Sequence, residues 1–109
     1  MKIYFFELSN KTTNGIVSDS IYTIDEYTAI EYDFYYKVFA NDKDEDDYFF
    51  IPKDEINKLE NCFMWSLENN PKFFIEQCME HTKETIQYYK SYLNTLTNKL
   101  SILEKYKGE

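Results

Sequence analysis

Apolar and polar positions follow two different periods along the chain, and the change falls near residue 52. Residues 2–8 (KIYFFEL) put Ile3 and Phe5 on one side of an extended chain and Tyr4, Phe6 and Leu8 on the other, so both faces are apolar. That pattern predicts a central strand. Residues 9–15 (SNKTTNG) carry turn chemistry ending in Asn14-Gly15, and residues 16–24 (IVSDSIYTI) resume a β-branched pattern, which together predict a hairpin. Residues 30–39 (IEYDFYYKVF) fit two periods. As a strand, Ile30, Tyr32, Phe34, Tyr36 and Val38 share one face, with Glu31, Asp33 and Lys37 opposite. As a helix starting near Thr23, with Thr23 and Glu26 as a capping box, Tyr27, Ile30, Phe34 and Val38 form a stripe. Aromatic and β-branched content favours the strand. A fourth strand, YFFI at 48–51, ends at Pro52.

Helical spacing takes over after Pro52. Ile56, Leu59, Phe63 and Leu67 mark one face of a helix that opens with Asp54 and Glu55 and stops near Asn69-Asn70. Pro71 opens a second helix that meets no Gly or Pro until Gly108. Within it Ile75, Met79, Thr82, Ile86, Tyr89, Leu93, Leu96, Leu100 and Leu103 alternate steps of four and three, a continuous heptad register. Folding back at residue 70 would set Ile56 against Ile86, Leu59 against Thr82, and Phe63 near Cys78 and Met79. The short helix covers only half of the long one, so the leucine-rich end needs the sheet or another chain. The predicted fold is α+β: an antiparallel sheet of about four strands over residues 1–52, then a helical hairpin over 53–109, in one domain. Tyr89, Leu93, Leu96, Leu100 and Leu103 are the expected dimerisation residues of a homodimer.

Charge refines this picture. The formal net charge is -8, and residues 1–60 hold 14 acids against 6 lysines while residues 61–109 hold 6 of each. All twelve basic residues are lysine, so the planar fork that reads phosphate and guanine bidentately is missing, which argues against direct nucleic-acid binding. Aromatics reach 19%, but Lys, Asn, Ile, Tyr and Phe together make up 51 of the 109 residues, a bias expected of an AT-rich genome. Stacking platforms for bases are therefore not implied. No apolar run is long enough for a membrane span, and KIYFFEL meets Glu7 too early to be a signal-peptide core. Two cysteines without an export signal read as reduced thiols, and a cytoplasmic location is expected.

The candidate chemistry is thin. Asp42, Asp44 and Asp46 occupy positions 1, 3 and 5 of a calcium loop, but position 6 is Asp47 instead of Gly and position 12 is Lys53 instead of Glu. Cys62, Cys78 and His81 lack the paired short spacings of a zinc site. The single histidine has no glycine elbow or phosphate-cradling loop beside it. No catalytic residue, metal or cofactor is expected. Tyr88, Tyr89 and Tyr92 read as a helix seam before they read as a recognition patch. The acidic stretch remains: Glu31, Asp33, Asp42, Asp44, Glu45, Asp46 and Asp47 are the candidate partner-binding residues. Such a surface attracts basic proteins, although solubility and protection of a hairpin edge explain it as simply. The functional expectation is a small, acidic, non-enzymatic interaction protein. It would act as a stoichiometric inhibitor that fills a basic nucleic-acid-binding groove, as phage-encoded DNA mimics of the anti-defence or anti-CRISPR kind do, in host cytoplasm if phage-encoded. The alternative is a structural or assembly protein acting through its coiled coil.

Overall fold

A computed structural model describes residues 1–108. Five strands, β1 (Lys2–Thr13), β2 (Ile16–Glu31), β3 (Tyr35–Phe39), β4 (Tyr48–Pro52) and β5 (Phe63–Ser66), precede one helix, α1 (Pro71–Lys107). All pairings between these strands are antiparallel, and the strand order is β4-β3-β2-β1-β5. Contacts divide the chain into two units, Met1–Ile75 and Glu76–Glu109.

The expected first hairpin forms. Asn14 (φ 54°) and Gly15 (φ 78°) both lie in the left-handed region, as a two-residue turn matched to strand twist requires, and Thr13 pairs with Ile16 across it. Its strands run farther than the turn-like composition of residues 9–13 suggested, with a register shift between Lys11 and Thr12. Side chains from residues 9 to 23 are exposed on both strands, Ile16, Val17 and Ile21 among them.

Residues 30–39 are not one strand. β2 continues to Glu31, the chain reverses through Tyr32–Tyr35, where the Tyr32 N–H donates to the Tyr35 carbonyl (2.9 Å), and β3 begins at Tyr35. The single-face expectation for Ile30, Tyr32, Phe34, Tyr36 and Val38 fails for that reason: Tyr36 and Val38 are buried while Phe34 is 82% exposed at the turn.

The largest correction concerns residues 53–70, where the helical hairpin was expected. Only a short 3-10 turn, Lys53–Glu55, forms; Asn57 (φ 63°) and Asn61 (φ 54°) take left-handed conformations that a helix interior does not allow. Residues 60–63 close a tight turn by reciprocal backbone hydrogen bonds (2.9 and 3.0 Å), and β5 then pairs with β1 through Phe5–Trp65 and Phe6–Met64. The 3.6-residue spacing of Ile56, Leu59, Phe63 and Leu67 was coincident with a strand whose alternation, Phe63 and Trp65 against Met64 and Ser66, fits the two apolar faces of β1. With no short helix, the expected pairs Ile56–Ile86, Leu59–Thr82 and Phe63–Cys78/Met79 have no basis. Among the described residues the observed fold is α+β with a five-stranded sheet and one α-helix.

The core explains why both faces of β1 are apolar. On one face Ile3, Ala29, Tyr36, Val38 and Ile51 are buried together, flanked by Tyr27, Phe49, Ile56 and Trp65. On the other, Phe6 and Met64 are fully buried and the ring of Phe74 stacks on Phe6 at 5.3 Å. Phe74 is placed there by the start of α1. Asn70 accepts the Phe73 N–H on its side-chain oxygen (3.2 Å) and Pro71 fills the first helical position, where its missing N–H costs nothing. From Met79 to Gly108 every residue of α1 and its end is exposed.

Candidate partner-binding surface

The connection between β3 and β4 is an ordered acidic loop. The Ala40 N–H donates to the Asp47 carbonyl (2.9 Å), which closes the ladder at its base. Within it the Asn41 side chain accepts the Lys43 N–H (3.0 Å) and the Asp44 carboxylate accepts the Asp46 N–H (3.0 Å). Asn41 and Asp44 thus build successive turns from their own side chains. The remaining carboxylates, Asp42, Glu45, Asp46 and Asp47, are exposed, and none of the five takes part in an ion pair among the described residues.

Beside this loop lies an apolar face that the sequence reading missed. Register puts Tyr35, Lys37 and Phe39 of β3 on one side with Tyr48 and Phe50 of β4, opposite to the side that Tyr36, Val38, Phe49 and Ile51 bury. Tyr35 and Phe50 meet edge to face at 4.9 Å, and Tyr48 and Phe50 at 5.4 Å. The Lys37 ammonium sits 4.1 Å from the centre of the Tyr48 ring and 5.4 Å from that of Phe39, a cation held over aromatic faces. Tyr35, Tyr48 and Phe50 are nonetheless exposed, Phe50 to 53%. Glu45 and Asp46 of the loop close one side of a shallow hollow with Ile30, Lys37, Phe39 and Tyr48. The missed signal was the alternation in YYKVF and YFFIP, which puts large aromatics on both faces of a two-stranded edge.

β4 is also an edge of the sheet. Ladder bonds bracket it at Ala40–Asp47 and at Lys53 N–H to the Phe34 carbonyl (3.0 Å), so by alternation the N–H groups of Tyr48 and Phe50 point away from β3, and Pro52 has none to offer. At the other edge, the Asn57 N–H donates to the Trp65 carbonyl (2.8 Å) and a bridge joins Ile56 to Trp65, which covers β5.

The structure splits the expected partner-binding residues. Asp42, Asp44, Glu45, Asp46 and Asp47 gather in the loop, while Glu31 and Asp33 lie at the opposite end of β3. Glu31 is already engaged: the Lys53 ammonium donates to its carboxylate at 2.8 Å. That hydrogen bond, with the negative charges of Glu31 and Asp33 nearby, holds the Lys53 pKa above its ordinary value against a smaller effect of desolvation.

The other candidates stay separate from this surface. Cys62 is exposed in the turn before β5, Cys78 is half-buried on α1, and His81 is exposed. Among the described residues no group of three or more His, Cys, Asp and Glu side chains is arranged to hold a metal ion, Asp42, Asp44 and Asp46 included. Among the described residues no helix is long and apolar enough to cross a membrane. On α1 the expected dimerisation residues Tyr89, Leu93, Leu96, Leu100 and Leu103 are all exposed, Leu93 to 62%, and so are Met79 and Ile86 in the same register. No protein-family model, no curated protein and no solved structure matches the chain.

Proposed function

We propose that this chain is a non-enzymatic interaction protein whose acidic β3–β4 loop and adjoining aromatic face bind a basic surface of another protein. One observation carries the reading: five exposed carboxylates without ion-pair partners border an exposed cluster of aromatic rings on an uncovered sheet edge. The carboxylates repel one another in the free chain, and lysines or arginines of a partner relieve that repulsion. The rings add the large, stiff contact area that interface centres favour. In its sharper form the chain is a stoichiometric inhibitor that fills a groove normally holding DNA or RNA. The combination of charge with adjoining rings favours a groove lined by apolar side chains as well as by cations.

Replacing Asp42, Asp44, Asp46 and Asp47 by Asn and Glu45 by Gln removes the charge, while the amide oxygen introduced at position 44 keeps the acceptor that the turn needs. Partner binding should weaken by roughly tenfold or more, chiefly through a slower on-rate, with less residual dependence on salt. Equal affinity of both forms at low salt for a partner isolated by pull-down sinks this reading.

A second reading, an assembly protein acting through its helix, is favoured by a different observation. α1 presents a heptad stripe from Met79 to Leu103 whose apolar members are all exposed. A helix with that much apolar surface facing water draws its stability from packing against a partner more than from propensity.

A further inference from the structure

We infer that two copies of this chain pair through α1 as an antiparallel coiled coil, in the register that overlaps the whole stripe. The inference rests on the assembly reading above and adds the occupant of the stripe and its orientation. In the heptad register Met79, Ile86, Leu93 and Leu100 take the a positions, and Thr82, Tyr89, Leu96 and Leu103 the d positions. Four heptads without a stutter meet the length that a two-stranded coil requires, about three to four.

Three features favour antiparallel pairing. The first is the composition of the layers. An antiparallel coil matches a with d, and full overlap gives Met79 with the partner's Leu103, Thr82 with the partner's Leu100, Ile86 with the partner's Leu96, and Tyr89 with the partner's Leu93. Every layer then contains at least one leucine. Parallel pairing would set Thr82 against Thr82 and the bulky Tyr89 against Tyr89. Thr82 suits a leucine opposite because its hydroxyl already donates to the Cys78 carbonyl of its own helix (2.8 Å), which leaves the methyl for the seam.

The second is the charge of the remainder of the chain. Residues 1–75 hold 15 acids against 7 lysines and are joined to the N-terminal end of α1. Parallel pairing puts the attachment points of two such stretches, each of net charge -8, at the same end of the coil; antiparallel pairing puts the attachment points at opposite ends. The third is charge along the helix itself. Glu76, Glu80 and Glu84 outnumber Lys72 and Lys83 over residues 71–84, and Lys99, Lys105 and Lys107 outnumber Glu104 over residues 99–107, so antiparallel helices set a slight acidic excess beside a lysine excess and oppose their macrodipoles. Flanking pairs alone do not separate the two orientations. Antiparallel pairing sets Lys83 beside the partner's Glu104 twice, and parallel pairing sets Lys99 beside the partner's Glu104 twice.

That last difference supplies the test. Light scattering at tens of micromolar should give a dimer for the full chain. In low salt Glu104→Lys should raise the dissociation constant roughly five- to tenfold, because two attractions become two repulsions. Adding Lys83→Glu should restore it, and adding Lys99→Glu should not. In a background with Cys62→Ala and Cys78→Ala, chains carrying Met79→Cys should form disulfides with chains carrying Leu103→Cys, and Leu103→Cys chains alone should form none. These positions are exposed in the single chain, and far-UV circular dichroism checks that the helix persists. A dimer rescued by Lys99→Glu, a Leu103→Cys self-disulfide, or a dimer showing neither cross-link overturns the antiparallel pairing. A monomer throughout overturns it together with the assembly reading, whereas a dimer of the wrong orientation leaves that reading standing.

Discussion

Phe74 is the residue that seats the first turn of α1. Its ring is fully buried and stacked on Phe6, and no other α1 residue is buried. Truncation to alanine removes that stacking and leaves a cavity that neighbours fill only in part, so Phe74→Ala should cost about 3–5 kcal/mol of stability in urea unfolding. A loss below about 1 kcal/mol would show that the Phe6 face collapses onto something else. Lys53 makes a smaller and pH-dependent contribution. Its pKa is raised in the fold, chiefly by the hydrogen bond to Glu31, so its stabilising effect is fully present below the pKa of an unfolded lysine, about 10.4, and is lost as pH rises through the higher folded value. Both side chains are partly exposed, which keeps the effect small. Lys53→Met should therefore show a constant, modest deficit relative to the parent from pH 6 to 9 that shrinks only above the ordinary lysine range. A deficit that instead vanishes on acidification between pH 9 and 7 contradicts the assignment to Lys53.

Among the elements, α1 gives the sharpest expectation. Leu96→Asp with Leu100→Asp places two charges per copy in the seam, and burying an unpaired carboxylate costs far more than a short coil gains from one layer. The double variant should be monomeric by light scattering at concentrations where the parent is dimeric; an unchanged dimer would place the interface elsewhere. α1 was also the most legible element in the sequence, because a heptad pattern sustained over residues 75–103 has no strand alternative and Pro71 and Gly108 mark its limits. The β1–β2 hairpin was legible for a different reason: Asn14-Gly15 specifies one turn geometry almost by itself. Residues 53–70 were not legible. Four apolar residues at helical spacing carried less information than Asn57 and Asn61, whose left-handed conformations break that helix, and asparagine is tolerated at such positions without being confined to them. β5 was hidden because its partner lies almost sixty residues away on β1, and no local pattern encodes that pairing. At the candidate surface the acidic loop was visible as a charge run, whereas the rings of Tyr35, Tyr48 and Phe50 became a surface only once β3 and β4 were in register.

At the scale of the whole molecule, the division of contacts into residues 1–75 and 76–109 predicts how the chain unfolds. Trp65 reports on the first unit alone: its ring packs against Phe5, Tyr27 and Phe49 at 4.7–5.6 Å. Ellipticity at 222 nm is dominated by α1, the only long helix among the described residues. Since Met79 to Gly108 is exposed throughout, the stability of that segment comes from intrinsic propensity and from whatever pairs with its stripe, whereas the Trp65 environment draws on the buried residues of the sheet. The two signals should therefore melt at different temperatures. Pairing of α1 between copies adds a concentration dependence to the helix transition alone, so a hundredfold dilution should lower its midpoint by several degrees and leave the Trp65 midpoint in place. Leu96→Asp with Leu100→Asp should remove that dependence and reproduce the dilute-limit helix melt. Coincident transitions that shift together with concentration would mean that the sheet unit and α1 unfold as one cooperative body, and the division into two units would then fail as an energetic description.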